Sequence, residues 1–260
     1  STDAQVEALD SILRSENCSC KEVAGGKDRT DRHGNDETPY YSSRSRISCQ
    51  PLSIQYASRV TITTPEGLEI PNQPFEGYIF DNDGTLALSM ALHFEAWIHA
   101  YKKNGATFTL NRDFAQSLAG VCMLETVRRV NDHFSESLDP EQVVADQEAF
   151  YRDNLHRVSP NPPIVDFAKR VAATHPVGVA SGGVWETVTK TLEAIGLREL
   201  FEVVVTQDQV ENSKPAPDLF LEAAKRMGVE PSKCLVIEDG QLGIQAAEAA
   251  GMHSILIEGG

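Results

Sequence analysis

The sequence predicts an α/β fold: a Rossmann-like doubly wound parallel sheet with a helical cap domain inserted after the first core strand. Three observations carry that expectation. From Gly77 onward, short apolar runs end in polar or glycine-rich turns and lead into amphipathic stretches, the alternation of a parallel α/β sheet. Between the first and second of these runs lies a long segment of helical periodicity with no strand pattern. Polar and charged side chains recur directly after the apolar runs, at the strand ends where open α/β sheets bind ligands.

The expected strands lie at 78–80, 177–180, 203–206, 235–237 and 254–257, and the expected helices of the insert at 91–104, 112–119, 125–134 and 141–158. Residues 76–92 and 160–260 then form the core domain and 93–159 the cap. Residues 1–75 differ in texture and are assigned to an extension of unknown role. In it, Val6, Leu9, Ile12 and Leu13 have helical spacing. The stretch 17–50 has no periodicity, and 25–46 has loop composition. Ile54, Tyr56, Val60 and Ile62 alternate like a strand before a turn at 65–67. The sequence contains no internal repeat.

At 260 residues and 41% hydrophobic content, the chain can bury a real core. No apolar run approaches the ~20 residues of a membrane span, and residues 1–16 lack a secretory pattern. A net charge of −15, from 38 acidic and 23 basic residues, argues against nucleic acid as a partner. Five cysteines make an odd set in a chain too large to need disulfide staples, which points to a reducing, cytoplasmic setting.

The first strand runs into Asp81-Asn82-Asp83-Gly84. Two carboxylates one residue apart after an apolar strand are costly to place unless a positive charge meets them. A metal ion would do so; the alternative is a plain acidic turn. The fourth strand ends in Glu238-Asp239-Gly240, a second acidic pair of hard oxygens suited to Mg²⁺, unless Asp239 merely caps the next helix. The second ends in Ser181-Gly182-Gly183 before a helix, a ready anion site or an ordinary loop. After the third comes Lys214-Pro215, a point charge for a phosphate or a lone surface lysine.

Taken in order, Asp-x-Asp, Ser, Lys and Glu-Asp at four strand ends resemble the four motifs of the haloacid dehalogenase superfamily, over residues 76–260. The helical insert is similar to the cap of its β-phosphoglucomutase-like branch, and the stretch KPAPDLFLEAAKRMGVEPSKCLVIEDGQLGIQAAEAAGM is similar to small sugar-phosphate phosphatases and mutases. The resemblance implies that Asp81 is a nucleophile forming an aspartyl-phosphate and Asp83 a general acid and base. It also implies that Mg²⁺ is held by Asp81, the Asp83 carbonyl and Asp239 with Glu238 nearby, and that the phosphoryl group is bound by Ser181, Gly182 and Lys214.

His93 falls either at the site, where mutases have a histidine near the hinge, or in a packed position beside Phe94 and Trp97. Asn82, Leu88, Ala91 and Gly240 depart from common family choices without touching the motif residues. His99, His133, His156 and His253 lack partners at ligand spacing. Cys18, Cys20, His33 and Cys49 could ligate zinc, but the spacing is irregular.

The expected function is a magnesium-dependent phosphatase of small phosphorylated metabolites, acting as a monomer or small homo-oligomer. The alternatives are a mutase and a non-catalytic scaffold with an interacting extension. A dehalogenase is disfavoured because a departing halide needs no Asp83 proton. The mutase loses ground at 118–123, where Leu-Ala-Gly-Val-Cys-Met lacks the Lys and Arg the mutase carries around a Gly.

Overall fold

The computed structural model describes residues 61–118 and 121–259. The expected helix near the start of the chain, the loop at 25–46, most of the alternating run at 54–62 and the zinc candidates lie outside the described residues. Gln55–Gly260 forms one compact unit.

The described chain opens with a hairpin, β1 (Thr61–Thr63) against β2 (Glu69–Pro71), turned where Gly67 donates to the Thr64 carbonyl at 2.9 Å. Residues 61–75 were grouped with the extension on sequence, yet Ile70 and Phe75 are buried in the same apolar cluster as Tyr78, Phe80 and Phe167. The cause is simple. An apolar Ile70 and Phe75 stand within a few residues of the first core strand, β3 (Gly77–Phe80), and have a core to enter.

After β3 come a two-residue strand, β4 (Ala87–Leu88), and four helices: α1 (Met90–Lys103), α2 (Arg112–Ser117), α3 (Met123–Phe134) and α4 (Pro140–Asp153). Their starts are chemically marked. Asn111 accepts the Phe114 N–H at 2.8 Å, and Asp139, ahead of Pro140, accepts the Glu141 N–H at 3.0 Å, satisfying donors the helix itself leaves open. Helix α4 stops earlier than the periodicity to 158 suggests, because the Asn154 side chain donates back to the Phe150 carbonyl at 2.8 Å, competing with helical continuation. A 3₁₀ turn, Leu155–Arg157, follows. Then β5 (Ser159–Pro160) pairs antiparallel with β4. This ribbon escaped the sequence, since two residues carry no periodicity, and it brings the two ends of the insert side by side.

The remaining elements alternate: α5 (Pro162–Ala172), β6 (Val177–Ser181), α6 (Trp185–Ala194), β7 (Val203–Thr206), α7 (Asp218–Met227), β8 (Cys234–Glu238), α8 (Gln241–Ala249) and β9 (His253–Leu256). They form a parallel five-stranded sheet ordered β7-β6-β3-β8-β9. Successive side chains point to opposite faces. Tyr78 and Phe80 therefore pack with Phe167, Val188 and Leu192 on one side, while Ile79 and Val236 pack with Leu219, Phe220 and Ala246 on the other. With both faces covered, the central strands have to be apolar throughout, which is why they read as continuous runs. The chain builds outward from β3 through β6 to β7, then crosses to β8. The switch point thus lies between β3 and β8, the crevice where such sheets bind ligands.

Candidate active site

Asp81 directly follows β3 and Glu238 ends β8, so the switch point places two carboxylates on neighbouring strands. Lys214, from the loop between β7 and α7, donates to Asp81 at 2.6 Å and also to Glu238. All three side chains are at least nine-tenths buried. Oxygens of Asp81, Glu238 and Asp239 lie within 4.8 Å of one another. One lysine faces three carboxylates here. Burial pushes Asp81 well above the usual carboxylate range, with Glu238 and Asp239 adding to the push against the attraction of Lys214. Burial and then the Glu238 charge raise Asp239 to about 6. For Lys214, burial disfavours the ammonium, but the charges of Asp81 and Glu238 outweigh it and hold the amine above its ordinary value.

Local backbone makes this crowding possible. Gly84 has φ +86°, and a side chain there would overlap the Asp239 carboxylate, so glycine satisfies both the conformation and the contact. Asp239 accepts from the Thr85 hydroxyl at 3.0 Å. It does not cap α8, whose N-cap is Gly240 with no side-chain cap. Glu238 instead takes the Gly240 N–H at 2.9 Å.

Asp83 faces the insert. Its Oδ1 accepts from Ser89 at 2.7 Å, from His93 Nε2 at 3.0 Å and from Tyr151 at 3.3 Å. Burial raises its carboxyl, yet the charge and hydrogen bond of His93, with the Ser89 bond, win and hold it far below the ordinary range. The two settings considered for His93 coincide: it stacks on Tyr151 with centroids 3.9 Å apart and contacts Asp83. Its Nδ1 lies 3.2 Å from the Gln147 side-chain amide nitrogen. Sequence reasoning missed Gln147, Tyr151, Ser89 and Thr85. A signal did exist, because Val143, Gln147 and Tyr151 share one face of α4 and all are buried, so a polar Gln sat on an apolar stripe.

Ser181 ends β6, buried, with its Oγ accepting the Gly183 N–H at 3.1 Å and its own O–H left to donate. Gly183 lies near Asp83, since a Cβ built on it would be 4.0 Å from Asp83 Oδ2. The strand-end residues Asp81, Asp83, Ser181, Lys214, Glu238 and Asp239 thus gather at one mouth, and His93 reaches it from α1. Within the insert, Lys103 pairs with Asp146, Arg152 with Glu148 and Arg157 with Glu95. Arg128 and Arg129 are more than half exposed and paired with Glu125.

The sequence profile of the haloacid dehalogenase-like hydrolases matches residues 78–257. This chain belongs to that family. Among its relatives, the fructose-1-phosphate phosphatase YqaB of Escherichia coli (strain K12) is 34% identical over 70% of this chain and 95% of its own. The β-phosphoglucomutase of Bacillus subtilis is 26% identical over 68% and 80%. The crystal structure of CbbY from Rhodobacter sphaeroides in complex with phosphate has the same fold, with a TM-score of 0.65 at 24% identity over 72% of this chain and 87% of that one. The family profile begins at Tyr78.

Proposed function

We propose that this family member is a magnesium-dependent phosphatase of small phosphorylated metabolites, sugar phosphates foremost, working through a phosphorylated Asp81. The observation that carries it is the convergence of Asp81, Glu238 and Asp239 with Lys214 at the switch point. The similarity to a fructose-1-phosphate phosphatase supports the substrate class.

The carboxylate cluster fits Mg²⁺: its donors are hard oxygens, and the raised carboxyls mark a site short of positive charge. Asp81, Asp239 and the Asp83 carbonyl would hold the ion, with Glu238 beside it. When bound, Mg²⁺ supplies charge stabilisation to the phosphoryl oxygens. Lys214 adds a fixed positive charge, and the Ser181 hydroxyl with the Gly182 main chain receives the anion.

In the first half-reaction Asp81 Oδ bonds to phosphorus, the phosphorus–ester oxygen bond breaks, and the leaving oxygen takes the Asp83 proton. In the second, Asp83 takes a proton from water as that water's oxygen bonds to phosphorus; the Asp81–phosphorus bond breaks and phosphate leaves. Three donors keep Asp83 ionised in the present arrangement, the form the second step needs. A phosphate dianion arriving beside it favours uptake of the proton needed for the first.

In this reading, residues 93–159 act as the cap and residues 1–60 take no part in the chemistry. A screen of sugar monophosphates, fructose 1-phosphate included, should show Mg²⁺-dependent phosphate release that Asp81→Asn reduces by at least about a thousandfold. Release undiminished in that variant would overturn the role of Asp81. Conversion of β-glucose 1-phosphate to glucose 6-phosphate without phosphate release would replace the phosphatase with the mutase.

A further inference from the structure

Next to Lys214, the Ser213 hydroxyl is covered from solvent and has no hydrogen-bond partner. Its main chain is fixed on both sides. Its carbonyl accepts the Ala216 N–H at 3.0 Å, and the neighbouring Asn212 binds the Asp218 carboxylate through its N–H and its side-chain amide, each at 3.1 Å. The backbone is therefore held, while Oγ can still turn about the Cα–Cβ bond. A buried hydroxyl without a partner costs roughly 1–3 kcal/mol, and a site that keeps one invites a reason.

Its position supplies one. A Cβ built on Gly182 would stand 3.8 Å from Ser213 Oγ, with no other atom closer, so the orphan hydroxyl borders the Ser181–Gly182 loop on the side where Lys214 enters. A rotatable O–H beside a lysine and a glycine turn is the donor set that a phosphoryl oxygen accepts from.

We infer that Ser213 donates a hydrogen bond to the substrate's phosphoryl group, as a second hydroxyl across the Gly182 loop from Ser181. The inference rests on the phosphatase reading. Motif spacing could not show it, because a serine before Lys214 is indistinguishable from loop composition until its lack of partners is seen.

The test is titration of inorganic phosphate, with Mg²⁺ present, into the full chain and into Ser213→Ala by calorimetry, alongside urea unfolding of both without phosphate. Ser213→Ala should bind phosphate about tenfold more weakly, equivalent to about 1.4 kcal/mol, and should unfold at the same urea concentration as wild type or higher, because the hydroxyl gives up no bond in the free protein. Equal phosphate affinity in the two proteins would overturn the inference. Weaker binding matched by lost stability of the free protein would overturn it too, in favour of a packing role. A wild-type protein that binds no phosphate would sink the phosphatase reading itself, a result distinct from either.

Discussion

Burial and the Glu238 charge raise Asp239 from 3.8 to about 6, so at neutral pH the metal-free fold holds a carboxylate where its surroundings favour the acid. Asp239→Asn is therefore expected to stabilise the metal-free protein. A group whose pKa rises on folding contributes stability that is complete below its unfolded value, here 3.8, and is lost as pH climbs through about 6. That span corresponds to a ceiling of about 3 kcal/mol. Asparagine is isosteric, carries no charge, and keeps an acceptor for the Thr85 hydroxyl, so a gain of about 1–3 kcal/mol is expected at pH 8 and almost none near pH 4. Urea unfolding in EDTA at the two pH values measures it. Added Mg²⁺ should then stabilise wild type and leave the variant nearly unmoved, closing or reversing the gap. An Asn variant that is less stable than wild type in EDTA at pH 8, or that gains as much from Mg²⁺, would refute the reasoning.

Other outcomes follow from the same geometry. Asp83→Asn should slow turnover by roughly a hundredfold or more, most for substrates with poor leaving groups; equal rates on sugar phosphates would remove Asp83 from acid–base work. Deleting residues 1–60 should leave unfolding and phosphate release unchanged, whereas Phe75→Ala should cost about 3–5 kcal/mol because it empties a core position; denaturant midpoints distinguish the two. Glu66 is held at about 2 by its bond to Arg170, 2.7 Å away. Its stabilising contribution is present above 4.5 and fades as pH falls toward 2. With Arg170 half exposed, Glu66→Gln should cost only about 1 kcal/mol or less at pH 7, shrinking toward pH 3, and a pH-independent cost would contradict the ion pair.

The sheet was legible because its strands are short apolar runs with both faces covered; Tyr78, Val179 and Val236 leave no ambiguity of period. Asp81, Ser181 and Glu238 were legible as a set because each sits at or directly after a strand end, strand ends in a parallel sheet share one mouth, and Lys214 lies in the loop that leaves β7, the third core strand in chain order. What could not be read is what depends on the phase of one helix against another. Gln147 and Tyr151 approach Asp83 only through the packing of α4 on α1, and the hairpin's hold on the core depends on Ile70 and Phe75 finding Tyr78 and Phe167. Two-residue strands such as β4 and β5 lie below any periodicity. Opposing preferences also hid the state of Asp83, since burial alone pushes its carboxyl up and His93, then Ser89 and Asn82, reverse the balance.

The β4–β5 ribbon carries one more consequence. Because Leu88 and Ser159 are paired neighbours, the segment between them leaves and re-enters the core domain at a single point. The chain is thus built for transplantation: a helical block from another relative, spliced between those two positions, would meet the same two ends at the same spacing. The graft has one compatibility rule. It must bring donors to Asp83 equivalent to those from Ser89, His93 and Tyr151, or that carboxylate will lose the charge state the present block enforces.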